Sequence, residues 1–343
     1  MFKRAGEKPS LSLALQGGGA HGAFTWGVLD ALLEAGRYRF DGLSGTSAGA
    51  MNAVAVAHGL CAGGPDGARE TLAAFWRRVG ESLPGEMARP LPFSMDSTVS
   101  SGLKMVLQLS QWFSPYQLNP LDYNPLRDII VSLFDFDRIR QASPVQLFVA
   151  ATQANSGHLK LFRNADLSAD ALLASACLPS LQQAVMIEGE PYWDGGFAAN
   201  PAIFPLFKFC RSDDILLVLL SPMMHGDTPR TADEIQRRAM LLGFNSAFLR
   251  EMRLFALLRE MADAPVYLRG RLERHLLATR FHLIEAHDSL AELDASSRAL
   301  TYGPFLAWLK DEGRQAAQAW MAEHGGKVGR SASVDINSQF FQS

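Results

Sequence analysis

Between Ser10 and Leu15 the chain carries a short uncharged run, Ser-Leu-Ser-Leu-Ala-Leu, that stops near three consecutive glycines. From Phe24 apolar residues return at three- and four-residue spacing, at Val28, Leu29, Leu32 and Leu33, so the pattern predicts strand, glycine turn and helix in succession. Phe40 to Gly45 reads as a second short strand, and Ser47 to Gly59 as a helix of small residues able to pack tightly on a sheet. Val145 to Ala151 and His158 to Phe162 flank the turn residues Asn155-Ser156-Gly157 and predict a hairpin. Ile215 to Leu220 is aliphatic throughout, the pattern of a strand buried on both faces. Strands and helices in this order predict the α/β class.

Two later stretches repeat apolar residues with helical period. One runs from Asp233 to about Arg259, through Ile235, Ala239, Leu242, Leu249, Met252 and Ala256, and the other from Pro304 to Glu323. Between Leu83 and Pro125 the texture changes, with six of the seventeen prolines and only five charged residues among Met, Phe, Trp and Tyr. So many helix breakers in so apolar a segment predict a cap over a site, with the adjacent Trp112 and Phe113 placed to anchor it and to bind substrate. The last thirteen residues, Ser331 to Ser343, are polar and are expected to fray.

Composition narrows the function classes. A chain of 343 residues with 48% hydrophobic and 20% charged residues buries a sizeable core, and a net charge of −3 leaves no basic surplus for a nucleic-acid backbone. Nucleic acid is therefore not expected as a partner. Cys61, Cys177 and Cys210 are odd in number and form no C-x-x-C pair, which fits a reducing cytoplasm rather than a disulfide framework. No export signal and no membrane-spanning run is read. Arg230 to Arg280 holds ten Lys/Arg against six Asp/Glu, a local +4 that leaves −7 for the rest, and such a patch suits peripheral contact with an anionic lipid surface. A solvated arginine-rich helix explains it equally well.

Gly45-Thr46-Ser47-Ala48-Gly49 is a G-x-S-x-G where a strand runs into a helix, the setting of a nucleophile elbow. Gln16-Gly17-Gly18-Gly19-Ala20-His21-Gly22 also joins a strand to a helix, so several backbone N–H groups point into one concavity that suits an oxyanion. The same run matches G-x-G-x-x-G, but the acidic residue of a dinucleotide site would have to be Asp41, which precedes its strand instead of ending it. Asp194, between Trp193 and two glycines, would be partly desolvated and a stronger base than in water. His225, His282 and His287 follow Asp194, so a histidine triad is formally open, though all three are expected to face solvent. No H-E-x-x-H or acidic cluster appears, and no metal or cofactor is expected.

The ordered motifs Q-G-G-G-A-H-G at 16–22, G-T-S-A-G at 45–49 and D-G-G at 194–196 resemble patatin-like phospholipases, serine acyl hydrolases with a Ser–Asp dyad and no histidine. Ala174-Ser175-Ala176-Cys177-Leu178-Pro179 and Asn200-Pro201 are further points of likeness, which covers about residues 10–222. The resemblance implies a three-layer α/β/α sandwich with a mainly parallel central sheet, Ser47 as nucleophile, Asp194 as its base, and Gly17, Gly18 and Gly19 as the oxyanion loop. His21 stands where many members carry Arg or Lys, and Gln16 also departs from the family pattern. The expected organisation is a catalytic domain over 10–222 with a cap insert at 83–125, a helical extension over 223–330 on the same domain, and a flexible tail over 331–343. The expected substrate is a lipid acyl ester. Two alternatives stay open: an intracellular polyester such as polyhydroxybutyrate cleaved by the same dyad at a granule surface, and a non-catalytic nucleotide-binding module using the glycine loop.

Overall fold

A computed structural model describes residues 8–82, 112–221, 228–262, 265, 269–286, 290, 293 and 295–340. Strand β1 (Ser10–Leu15) leads through the glycine loop into helix α1 (Gly22–Ala35), then β2 (Arg39–Thr46) into α2 (Ala48–Glu81), which loses helical geometry at Gly63 and Gly64. Three short helices follow, α3 (Pro115–Leu118), α4 (Pro125–Leu133) and α5 (Phe136–Ala142), and then the hairpin β3 (Gln146–Gln153) and β4 (Leu159–Arg163). Helix α6 (Ala169–Ser175), strands β5 (Val185–Ile187) and β6 (Glu190–Asp194), helix α7 (Phe204–Phe209) and strand β7 (Asp214–Leu219) complete the first two thirds. Helices α8 (Ala232–Met261) and α9 (Arg271–Ala278), strand β8 (Arg280–Glu285), and helices α10 (Gly303–Glu323) and α11 (Ile336–Phe340) close the chain.

The strands form one sheet ordered β5-β6-β3-β2-β1-β7-β8, with β4 paired to β3. β3, β2, β1, β7 and β8 run parallel, and the antiparallel pairs gather around β3, β4, β5 and β6. The aliphatic run in β7 explains the layering. Leu216 and Val218 point to the face covered by α1, α2 and α10, while Ile215, Leu217 and Leu219 point to the face covered by α7, α8 and α9. β1 divides in the same way, with Leu11, Leu13 and Leu15 on one side and Ala14 on the other. A strand apolar at every position therefore has a helix layer on each side, and the fold is the expected three-layer sandwich with a mostly parallel sheet.

Several expectations need correction. The C-terminal third is not only helical, because β8 extends the sheet beside β7. The tail is not frayed as far as Phe340: Ile336 and Phe340, one helical turn apart, are buried, and Phe340 packs edge-on to Phe248 of α8. In α8 only the C-terminal half buries its stripe, through Phe248, Met252, Phe255 and Ala256, whereas Ile235, Met240 and Leu242 are exposed. His282 lies inside β8, fully buried rather than facing solvent. Of the expected cap, residues 83–111 lie outside the described residues, as do His225 and His287. In the 230–280 segment Arg250, Arg253 and Arg259 donate to backbone carbonyls and Arg280 pairs with Asp214. All three cysteines are free, and among the described residues no helix is long and apolar enough to cross a membrane.

Candidate active site

Sheet register brings the two principal sequence candidates together. β2 runs along one edge of β3 as far as Thr46, opposite Ala150, and the next residue of β3, Ala151, pairs with Asp194 at the end of β6. β4 holds the other edge over the same stretch. β2 and β6 thus share one lane and meet end to end, which sets Ser47 beside Asp194. The Ser47 side chain faces the Asp194 carboxylate, and its hydroxyl favours the ionised form.

Ser47 sits at φ 53° and ψ −123°, a left-handed conformation that a residue with a side chain rarely adopts. Its neighbours over-determine that geometry. The Ser47 N–H donates to Ser175 Oγ at 2.9 Å, its carbonyl accepts from Met51 N–H at 3.1 Å, and the Thr46 hydroxyl donates to the Ala199 carbonyl at 2.7 Å. Gly49 is required because a Cβ there would collide with the Leu15 carbonyl oxygen as the helix crosses the end of β1. The turn places Ser47 at the N-cap of α2, whose dipole favours negative charge.

Asp194 is buried at 2% exposure, with its backbone fixed from both sides: its N–H donates to the Cys177 carbonyl and its carbonyl accepts from the Thr152 hydroxyl, each at 2.8 Å. One carboxylate oxygen accepts from the Gly196 N–H at 2.7 Å. Burial raises the pKa to about 7, against the opposing pull of the Gly196 and Ser47 hydrogen bonds. A hydroxyl hydrogen-bonded to such a carboxylate can pass it a proton near neutral pH. Burial also pushes the neighbouring Cys177 thiol up to about 12, so it stays protonated.

The glycine loop divides by role. Gly17 donates its N–H to Asn200 Oδ1 at 2.7 Å, so that amide anchors the loop. Among the described residues nothing accepts from the Gly18 or Gly19 N–H, and these two glycines are the loop's accessible ones. Gln16, the departure from the family pattern, is a buried brace: its Oε1 accepts from Leu220 and Ser221 N–H at 2.6 and 2.9 Å, and its Nε2 donates to Asn245 Oδ1 at 3.0 Å. His21 is buried with Nε2 2.7 Å from Ser297 Oγ, and burial followed by the charge of Arg298 lowers its pKa to about 3, leaving it neutral.

Neither His282 nor the dinucleotide reading finds support in these placements. His282 Nε2 meets Asp214 at 3.0 Å and Nδ1 meets Ser333 Oγ at 3.1 Å, but Asp214 begins β7 at the opposite end of the sheet from Ser47 and is already bidentate to Arg280. Asp41 accepts from the Arg211 and Ser212 amides near the start of β2 and does not approach the glycine loop. Trp112 and Phe113 are exposed, at 82% and 47%, on the segment that leads into α3. That segment is tied to the loop beside Asp194: Gln183 Nε2 donates to the Asn119 carbonyl at 2.9 Å and the Ala184 N–H to Tyr116 Oη at 3.3 Å. Sequence reasoning missed Asn245, Ser297, Arg298 and Phe244, the last tilted against Phe197 with ring centroids 4.7 Å apart near the turn after Asp194. None of them lies in a motif; Ser175 and Asn200 do, and the structure supplies their tasks.

No curated protein matches the chain. Among solved structures, VipD from Legionella pneumophila is 15% identical, with 97% of this chain and 73% of that chain covered and a TM-score of 0.38, a likeness too loose to carry an argument. The family model described as patatin-like phospholipase matches residues 13–207, more than half of the 343 and enough to contain the glycine loop, Ser47 and Asp194. The chain belongs to the patatin-like phospholipase family, whose members are lipid acyl hydrolases.

Proposed function

We propose that the protein hydrolyses lipid acyl esters with Ser47 as nucleophile and Asp194 as its base. The observation that carries this reading is the sheet register that sets a serine at a left-handed elbow beside a buried carboxylate whose pKa burial has raised to about 7. As Ser47 Oγ attacks the ester carbonyl carbon, Asp194 takes its proton and negative charge moves to the carbonyl oxygen. The Gly18 and Gly19 amides, with the first turn of α2, are the donors for that oxygen, while Gly17 holds the loop through Asn200. Collapse expels the alcohol, which takes the proton back from Asp194, and water then enters by the same route to release the acid. No histidine is needed, and His21 is turned to Ser297.

The surroundings favour an apolar acyl substrate presented at a surface. Tyr116, tied to the Ala184 amide, and Phe197, against Phe244 of α8, are exposed large hydrophobics, and Trp112, Leu121 and Tyr123 around α3 and Met240 and Leu242 on α8 are exposed as well. Peripheral contact with a lipid surface is part of this proposal, and these exposed apolar side chains support it. Ser47→Ala tests the reading: turnover of p-nitrophenyl butyrate should fall by at least about 10³-fold with an unchanged circular dichroism spectrum. Activity within about threefold of the wild type would overturn the assignment.

A further inference from the structure

The residues Ala295–Ala299 form a 3₁₀ turn that lies directly against the glycine loop, far from it in sequence and beyond the stretch matched by the family model. The contact is close: a Cβ on Gly19, at φ 59°, would collide with the Arg298 carbonyl oxygen. Ser297 and Arg298 bracket the loop. Ser297 Oγ meets the His21 ring at 2.7 Å, and the Arg298 guanidinium donates to Ser221 Oγ at 2.8 Å, whose own amide is held by Gln16.

The charge of Arg298 is unusual for this molecule. Arg280 pairs with Asp214, and Arg69 and Arg314 share Asp30 and Glu34, while Arg259, whose pKa burial also lowers, donates to the Thr279 carbonyl and has the charge of Asp335 to offset its burial. Among the described residues no carboxylate lies within ion-pair distance of Arg298, although burial lowers its pKa. Withdrawing a guanidinium from water without a counter-charge is costly, and a fold that only needed to fill this space would do so better with an apolar residue. An anion that appears during the reaction would compensate it. His21 is neutral and supplies no such charge.

On the acyl-transfer reading above, we propose that Arg298 is the electrostatic positioning residue of the oxyanion site. Its backbone fixes Gly19, and its guanidinium raises the potential at the Gly18 and Gly19 amides where negative charge develops on the carbonyl oxygen. The charge is pre-arranged, so nothing reorients as the oxyanion forms.

The test compares wild type, Arg298→Met, Arg298→Lys and Ser47→Ala in kcat, KM and melting temperature, on neutral p-nitrophenyl butyrate and on phosphatidylglycerol vesicles. Arg298→Met should lower kcat on the neutral ester at least about tenfold with KM within about twofold, and Arg298→Lys should recover most of the loss. The melting temperature of Arg298→Met should equal or exceed that of wild type, because an uncompensated charge has been removed. A full kcat in Arg298→Met overturns the proposal. A loss confined to KM for phosphatidylglycerol overturns it in favour of a headgroup anchor, and a joint fall in kcat and melting temperature that lysine does not restore overturns it in favour of a purely structural role. Turnover surviving in Ser47→Ala would overturn the dyad and this inference with it, whereas loss there beside an intact Arg298→Met overturns this inference alone.

Discussion

Replacing Asp194 by asparagine removes a carboxylate that folding holds out of water. The residue is 2% exposed, and burial lifts its pKa from 3.8 to about 7 in spite of hydrogen bonds that favour the ionised form. That displacement corresponds to about 4 kcal/mol, because each pKa unit is worth about 1.4 kcal/mol. Between pH 3.8 and about 7 the native protein keeps a proton that the unfolded chain has released, so stability declines as pH rises through that window and the full cost is present above it. An amide keeps an oxygen for the Gly196 N–H and carries no charge. Asp194→Asn should therefore raise the unfolding free energy by roughly 2–4 kcal/mol at pH 8, a gain that shrinks towards zero by pH 4, while kcat falls about 10²-fold or more. Urea denaturation of both proteins at pH 4, 6 and 8, beside ester turnover, measures the two effects. A gain independent of pH, or a loss of stability at pH 8, would show that the buried Asp194 carboxylate is not the source of the destabilisation.

The pH profile of wild-type kcat/KM on a neutral ester should lose activity as pH falls below about 7, since only the ionised Asp194 can accept the Ser47 proton; an acid limb near 4 would place the base elsewhere. His282→Ala should cost roughly 2–4 kcal/mol in denaturant titrations, because it empties a buried hydrogen-bonded site, and should leave kcat per folded molecule within about threefold; a loss of kcat as deep as that of Ser47→Ala would restore a histidine mechanism. Trp112→Ser with Phe113→Ser should lower turnover of aggregated long-chain esters far more than of soluble short ones, with little change in melting temperature given their exposure; equal losses with a large drop in melting temperature would make them core residues instead.

Much of the site was legible because its chemistry is local in sequence. A serine that must adopt positive φ needs small neighbours, so Gly45 and Gly49 announce Ser47, and the two glycines after Asp194 announce its turn. The aliphatic β7 likewise declared helices on both faces. What stayed hidden depends on register and distance. Nothing in the sequence shows that β2 and β6 share one lane of β3, yet that pairing joins Ser47 to Asp194. His282 looked like a surface residue because its partners, Asp214 and Ser333, lie 68 and 51 residues away. The exposed start of α8 shares its helical period with the buried end, so periodicity alone could not say where burial begins. Ile336 and Phe340 form a minimal apolar pair in a polar segment, too short a signal to distinguish a docked turn from a frayed end.

The proposed mechanism makes Ser47 the nucleophile and Asp194 the group that alone activates it. Reaction of the protein with a fluorophosphonate, followed by peptide mass spectrometry of wild type and Asp194→Asn, tests this most directly. A single adduct on Ser47 is expected, formed at least about 10²-fold more slowly in Asp194→Asn. An adduct on another serine, Ser333 beside His282 included, or labelling of Ser47 at an undiminished rate without the carboxylate, would contradict it.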